Sequence, residues 1–240
     1  MSKTIHPPIE YGHAARAILA ETRPIEAGNP IEAVMHACGF PIGLPPSVRV
    51  HPNLPFTLGT DEVLGHHPAV VFPLSRGDGE IAAIEILYLS ATGIAPVLSP
   101  WQIHWFSESS RDGTFFQLSD ETPGVVGVVA GITDALAVWR MNECLTVCAV
   151  RNPDELAAFD WPDDTMHLDV YATAETEAAA HALAARAIHA GLTAAVLMPA
   201  TPGASWFQEL AFAGAIPCDD QSQAKADAAR LDDNEDDERQ

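Results

Sequence analysis

Hydrophobic positions along this chain fall into two regimes that meet near residue 120. Downstream, short apolar runs alternate with stretches of helical spacing. Residues 125–130 (VVGVVA) form a nearly continuous apolar run rich in β-branched residues, as a strand buried on both faces of a parallel sheet requires, and Gly131 ends it. Residues 133–141 (TDALAVWRM) carry apolar side chains at helical spacing, 145–150 (LTVCAV) read as a second strand, and Asn152 is placed to cap a helix that starts at Pro153. A third strand at 166–172 (MHLDVYA), an Ala-rich helix at 175–190 closed by Gly191, and a fourth strand at 194–199 follow. Strands alternating with helices at this pitch predict an α/β layer with a parallel sheet.

Upstream, residues 11–21 and 30–38 read as two helices on either side of a break at Arg23-Pro24. Residues 41–55 hold five prolines and read as an extended connector. Two alternating segments, 69–74 and 80–89, flank Arg76-Gly77-Asp78-Gly79, a hairpin turn signal, and 94–118 adds further short strands. The predicted fold class is therefore α/β, in four parts. An N-terminal helical segment with its Pro-rich connector spans 1–56, and a small antiparallel β layer spans 57–120. A parallel sheet with flanking helices covers 121–215, and residues 216–240 form an acidic, disordered tail.

Composition narrows the function. The chain has 240 residues and 48% hydrophobic content, enough for a proper core in one or two domains. Twelve Lys and Arg against 33 Asp and Glu give a net charge of -21. Nine acids and three bases lie between Asp219 and Gln240, so the body without that tail still carries about -15. This balance argues against a broad electropositive surface for nucleic-acid backbone, because phosphate binding is driven by Lys and Arg releasing counterions. Nucleic-acid binding is expected to be weak or indirect. Four cysteines with no Cys-x-x-Cys pair and no signal peptide imply a reduced, cytoplasmic setting, and no apolar run is long enough to span a membrane.

The residues at the strand ends carry a family likeness. Residues 128–136 (VVAGITDAL) resemble the first motif of Toprim domains in plasmid and phage primases, a hydrophobic strand followed by Glu-Gly and a short helix. Residues 169–179 (DVYATAETEAA) resemble the second, a strand ending in Asp-x-Asp before an Ala- and Gly-rich helix. Residues 201–206 (TPGASW) resemble the third, a Pro-Gly-Lys-Asp-Trp segment. Residues 14–56, with Arg23-Pro24-Ile25, Cys38-Gly39 and the run from Leu44 to Pro52, are similar to the segment that precedes Toprim in those primases. The likeness covers roughly residues 14–212, by order and spacing more than by identity.

The resemblance implies a Toprim-like parallel sheet, and a Toprim domain uses its motif Glu as general acid/base and its two Asp, with that Glu, to hold magnesium through oxygen ligands. Here the Glu position is Ala130, the Asp positions are Ala174 and Thr176, and the Lys and Asp of the third motif are Ala204 and Ser205. No catalytic residue, cofactor or metal is expected at such a site. The implied function is that of a degenerate primase-like protein of a mobile element, which meets a protein partner in DNA replication or a related assembly. Two alternatives stand beside it. Asp134, Glu175 and Glu177 lie one to three positions away and, acting as relocated acids with magnesium, would make the chain an active primase or another phosphoryl transferase. The acidic body would also suit a DNA-mimic decoy for a basic partner.

Other constellations have plainer readings. Gly124, Gly127 and Gly131 match neither G-x-G-x-x-G nor a Walker motif and read as strand and turn packing. His66-His67 has no Cys or acid at ligand spacing and reads as solvated loop histidines. Cys144 and Cys148 bracket a strand and are expected to be core thiols. Trp101, His104 and Trp105 would suit base stacking, but only Arg111 lies near them, so packing is the expected role. Arg76-Gly77-Asp78 reads as a turn, not an adhesion motif.

Overall fold

The computed structural model describes residues 11–26, 28–41, 43–58, 62–107, 113–119, 124–142 and 145–213. The acidic tail, Cys144, Cys218 and Arg111 lie outside the described residues. Helices α1 (Tyr11–Glu21) and α2 (Pro30–Ala37) come first, separated by the two-residue strand β1 (Arg23–Pro24). Asn29 caps α2 by accepting from the Ile31 amide, and Pro30 takes the first helical position, where a missing N–H costs nothing.

The antiparallel part follows as β2 (Arg49–Phe56), β3 (Gly65–Ser75), β4 (Ile81–Ser90), β5 (Gly93–Ile94), β6 (Trp101–Trp105) and β7 (Phe115–Gln117). The Arg76–Gly79 turn joins β3 to β4 as predicted, with Gly79 at φ 78 and the Arg76 amide bonded to the Glu80 carbonyl. One expectation is corrected. The proline-rich connector is a strand over its last part, because β2 bears Pro52 and Pro55 beside a register shift between His51 and Leu54, and among the described residues its outer edge is paired only by β1. Prolines are tolerated where the ladder does not need their N–H.

The alternating part then appears as β8 (Val125–Ala130), α3 (Ile132–Met141), β9 (Thr146–Val150), α4 (Pro153–Ala158), β10 (His167–Tyr171), α5 (Glu177–His189) and β11 (Thr193–Leu197). Helix α6 (Trp206–Ala213), which the hydrophobic pattern did not announce, completes it. Asn152 caps α4 through a 2.9 Å bond from the Glu155 amide, and Gly191, at φ 97, closes α5.

Among the described residues the fold is mixed α/β with flanking helices on an eleven-stranded sheet. Its main path runs β1-β2-β3-β7-β9-β8-β10-β11, with β4, β5 and β6 branching from β3. Strands β9, β8, β10 and β11 are mutually parallel, while β7 pairs antiparallel with both β3 and β9 and so joins the two regimes. Three apolar clusters hold the layers together. One packs α2, α3 and α6 on Phe72, Leu74, Leu87, Phe116, Val129 and Tyr171. On the opposite face α4 and α5 cover Val126, Val128, Cys148, Leu168 and Val170. The third lays α1 over Leu54, Phe56, Val71, Ile84, Ile86 and Tyr88.

Candidate functional site

In an open α/β sheet, ligands bind beyond the carboxyl ends of the parallel strands. Those ends come together here because the ladder aligns Val129 with both Ala149 and Tyr171, and Tyr171 with Leu197. Ala130 closes β8 half-buried, packed with the cluster under α4 and α5. Ala174 and Glu175 are exposed in the turn after β10. Thr176 is buried at the start of α5, and its hydroxyl accepts from the Thr173 amide at 2.8 Å, closing that turn. Glu177 is exposed and lies 3.9 Å from His181 one helical turn along.

The third segment folds back over the sheet as α6. Ala204 is buried, and Ser205 forms a reciprocal cap with Gln208, its hydroxyl accepting from the Gln208 amide at 3.2 Å and its amide donating to the Gln208 side chain at 2.9 Å. Trp206 drives its indole N–H onto the Ala172 carbonyl at 3.0 Å and meets the Tyr171 ring edge-to-face at 5.1 Å. Asp134, in the first turn of α3, accepts from the Phe207 amide at 3.0 Å. Burial pushes its carboxyl above the usual range, opposed by hydrogen bonds from Phe207, Ser205 and Trp206. The structure thus joins Asp134 to Ser205 through the α6 N-terminus and keeps Glu175 and Glu177 on the solvent side of the β10–α5 turn.

A second polar cluster escaped the sequence reading. Glu85 is the one acid in the apolar strand β4, and one of its carboxylate oxygens, Oε2, is buried without a hydrogen-bond partner. It shares the ladder with Phe72 of β3 and Ile103 of β6. Desolvation raises its pKa from the usual 4.5 to about 7, against the pull of Arg151 and reinforced by Glu155. Arg151 follows β9, binds Glu155 through Nε at 3.0 Å, and sets its guanidinium 4.8 Å from the Trp105 ring centroid. A lone acid inside IAAIEILYL was the available signal.

The remaining candidates settle into packing. Trp101 stacks on Phe72 with ring centroids 6.0 Å apart, and burial lowers the pKa of His104, which bonds Gln102. His66 and His67 lie in β3 and not in a loop, with His67 edge-on to Phe56 and Tyr88. Cys148 sits buried in the middle of β9. Gly127 has no room for a side chain, since a Cβ there would stand 2.9 Å from Leu145 and 3.0 Å from Tyr171. Gly131 turns at φ 94 between β8 and α3. Among the described residues no group of three or more His, Cys, Asp or Glu is arranged to hold a metal ion, and no helix is long and apolar enough to cross a membrane.

Comparison with known proteins gives partial matches. Residues 11–102 match the model of a domain of unknown function, DUF7146. No curated protein matches. Among solved structures, the chain is similar to the primase fragment of the bacteriophage T7 primase-helicase protein, at 13% identity and a TM-score of 0.43 over 76% of this chain. It is also similar to the Aquifex aeolicus primase with its zinc-binding and RNA polymerase domains, at 14% identity and a TM-score of 0.42 over 68% of this chain. A third is a chain from the bacteriophage T7 lagging-strand DNA polymerase assembly with primase domains, at 14% identity and a TM-score of 0.40, covering 70% of this chain and 76% of that one. The match spans 66% and 41% of the length of the first two.

Proposed function

We propose that this chain is a primase-like protein of the Toprim type whose strand-end chemistry has been replaced by structure, and that it serves DNA replication or a related assembly of a mobile element by binding another protein. The observation that carries this reading is the use made of Asp134. This acid, in the first turn after β8, accepts hydrogen bonds at the start of α6 and is committed to holding that helix. Thr176 spends its hydroxyl on the Thr173 amide, and Ala130 and Ala174 bring only methyl groups. A magnesium ion wants an octahedron of oxygen ligands that includes carboxylate, and this donor set does not fit it. No phosphoryl-transfer step is derived through such an ion.

The cations support the same reading. Of the seven arginines among the described residues, Arg16 lies over Phe106, Arg49 binds Thr22, Arg76 binds Glu80, Arg151 binds Glu155 and Arg186 binds Asp160. Side chains engaged in this way are not arrayed for phosphate. With a net charge of -21, the chain's long-range field selects cationic partners. The test is magnesium-dependent primer synthesis on a single-stranded template by the full chain. No product above background is expected; robust synthesis that Glu175→Gln abolishes would overturn the proposal and restore an enzyme with relocated acids.

A further inference from the structure

Strand β11 closes the parallel side of the sheet, and among the described residues it pairs with β10 alone. Its backbone directions follow from two bonds. The Thr193 amide donates to the Met166 carbonyl at 3.1 Å, and the Leu197 carbonyl accepts from the Ala172 amide at 2.8 Å, so residues 193, 195 and 197 turn their backbone groups inward. Ala194 and Val196 therefore present N–H and C=O outward. Natural edges are blunted by charged side chains, proline or bulges. This edge has none of them: Thr193-Ala194-Ala195-Val196-Leu197 is uncharged, free of proline and in unbroken register with β10 over all five residues.

What would cover this edge follows from charge and size. Asp169 of β10 pairs in register with Ala195, so both side chains stand on the same sheet face. Asp169 is one-fifth exposed and its carboxylate meets the His167 ring at 2.9 Å. Ala195 is only a methyl group, so nothing long stands between Asp169 and the outside of the edge. A residue facing Ala195 from an added strand would lie roughly 10 Å from Asp169 backbone to backbone, two strand spacings, within reach of a lysine or arginine side chain. A second copy of the chain is the wrong occupant, because it would bring another -21 charges to the contact.

We propose that the outer edge of β11 is a docking site for an extended, lysine- or arginine-bearing segment of a partner protein, which adds as a further strand on Ala194 and Val196 and sends cations over Ala195 to Asp169. Backbone bonds supply the affinity and alternate side chains the choice of partner, as in other strand additions. The inference stands apart from the chemistry at the strand ends, so the two proposals fail separately.

Fluorescence anisotropy with a labelled alternating Lys-Val heptapeptide tests it, with a Glu-Val heptapeptide as the charge control. The Lys-Val peptide is expected to bind the full chain and the Glu-Val peptide is not. Ala194→Pro removes one outward N–H and leaves the bonds to β10 in place, and it should weaken the Lys-Val peptide at least tenfold. Asp169→Asn should weaken it about threefold to tenfold. A peptide N-methylated on the amides that would face β11 leaves the protein untouched and should lose binding to the same degree, whatever Ala194→Pro does to folding. Equal binding of the N-methylated peptide would overturn the proposal, as would a native dimer in sedimentation that Ala194→Pro converts to monomer.

Discussion

The carboxyl ends of the parallel strands and the buried face of the antiparallel strands handle polar groups in opposite ways. At the parallel ends, Asp134, Thr176 and Ser205 are each bonded into a cap or turn, and the tryptophan beside them spends its N–H on a strand carbonyl. In the antiparallel part, Glu85 is half-buried and one of its oxygens bonds nothing, beside an arginine already paired elsewhere. A polar group that has found its partners holds a fold; one buried without partners costs stability and waits on its protonation state. On the proposed reading, the position where chemistry would be looked for first is a piece of architecture. The unpartnered oxygen lies in the antiparallel part, on β4.

Breaking the parallel end should cost most. Trp206 is nearly buried, fills the space against Tyr171 and satisfies the Ala172 carbonyl, so Trp206→Ala is expected to destabilise the chain by about 3–5 kcal/mol, measured by denaturant unfolding. A loss under about 1 kcal/mol would mean that α6 is not held as described.

Glu85 sharpens the contrast through pH. Its folded pKa of about 7 lies above the ordinary 4.5, so the folded chain binds the proton more tightly than the unfolded one between those values. Its contribution is fully present below pH 4.5 and is lost as pH rises through 7. Glu85→Gln has no proton to lose, so the stability difference should move in favour of the variant by on the order of 2 kcal/mol between pH 4.5 and pH 8. Parallel stability curves for the two proteins would show that the carboxyl is not desolvated.

The smallest expected effect is at the cap. Asp134→Ala removes the acceptor for the start of α6 and should cost about 1 kcal/mol in thermal or denaturant unfolding, while Asp134→Asn should keep most of it. No loss with Asp134→Ala would mean that the carboxylate does not hold the start of α6.

Much of the architecture was legible in the hydrophobic pattern. The run at 125–130, the cap at Asn152 and the stop at Gly191 are local signals, and each strand and helix they announce is present. Proline misled over 49–56, because its cost in a strand depends on whether a neighbour needs the missing N–H, and that is a tertiary fact. Helix α6 was missed although Ser205 and Gln208 carry a capping box, since eight residues give little periodicity to read. At the site, the identities of Ala130, Ala174 and Thr176 were plain in the sequence, but the role of Asp134 was not. Its partner lies 73 positions away at Phe207, a distance no spacing argument crosses. Glu85 had a signal, a single acid in an apolar strand, and only the placement of Arg151 and Glu155 gives it meaning.

The most direct measurement of the central claim is calorimetric titration of the full chain with magnesium and with manganese. No stoichiometric binding heat is expected with either ion, because Ala130 and Ala174 bring methyl groups and the acceptors of Asp134 and Thr176 are committed to α6 and the β10–α5 turn. One-to-one binding that Glu175→Gln or Asp134→Asn removes would contradict it.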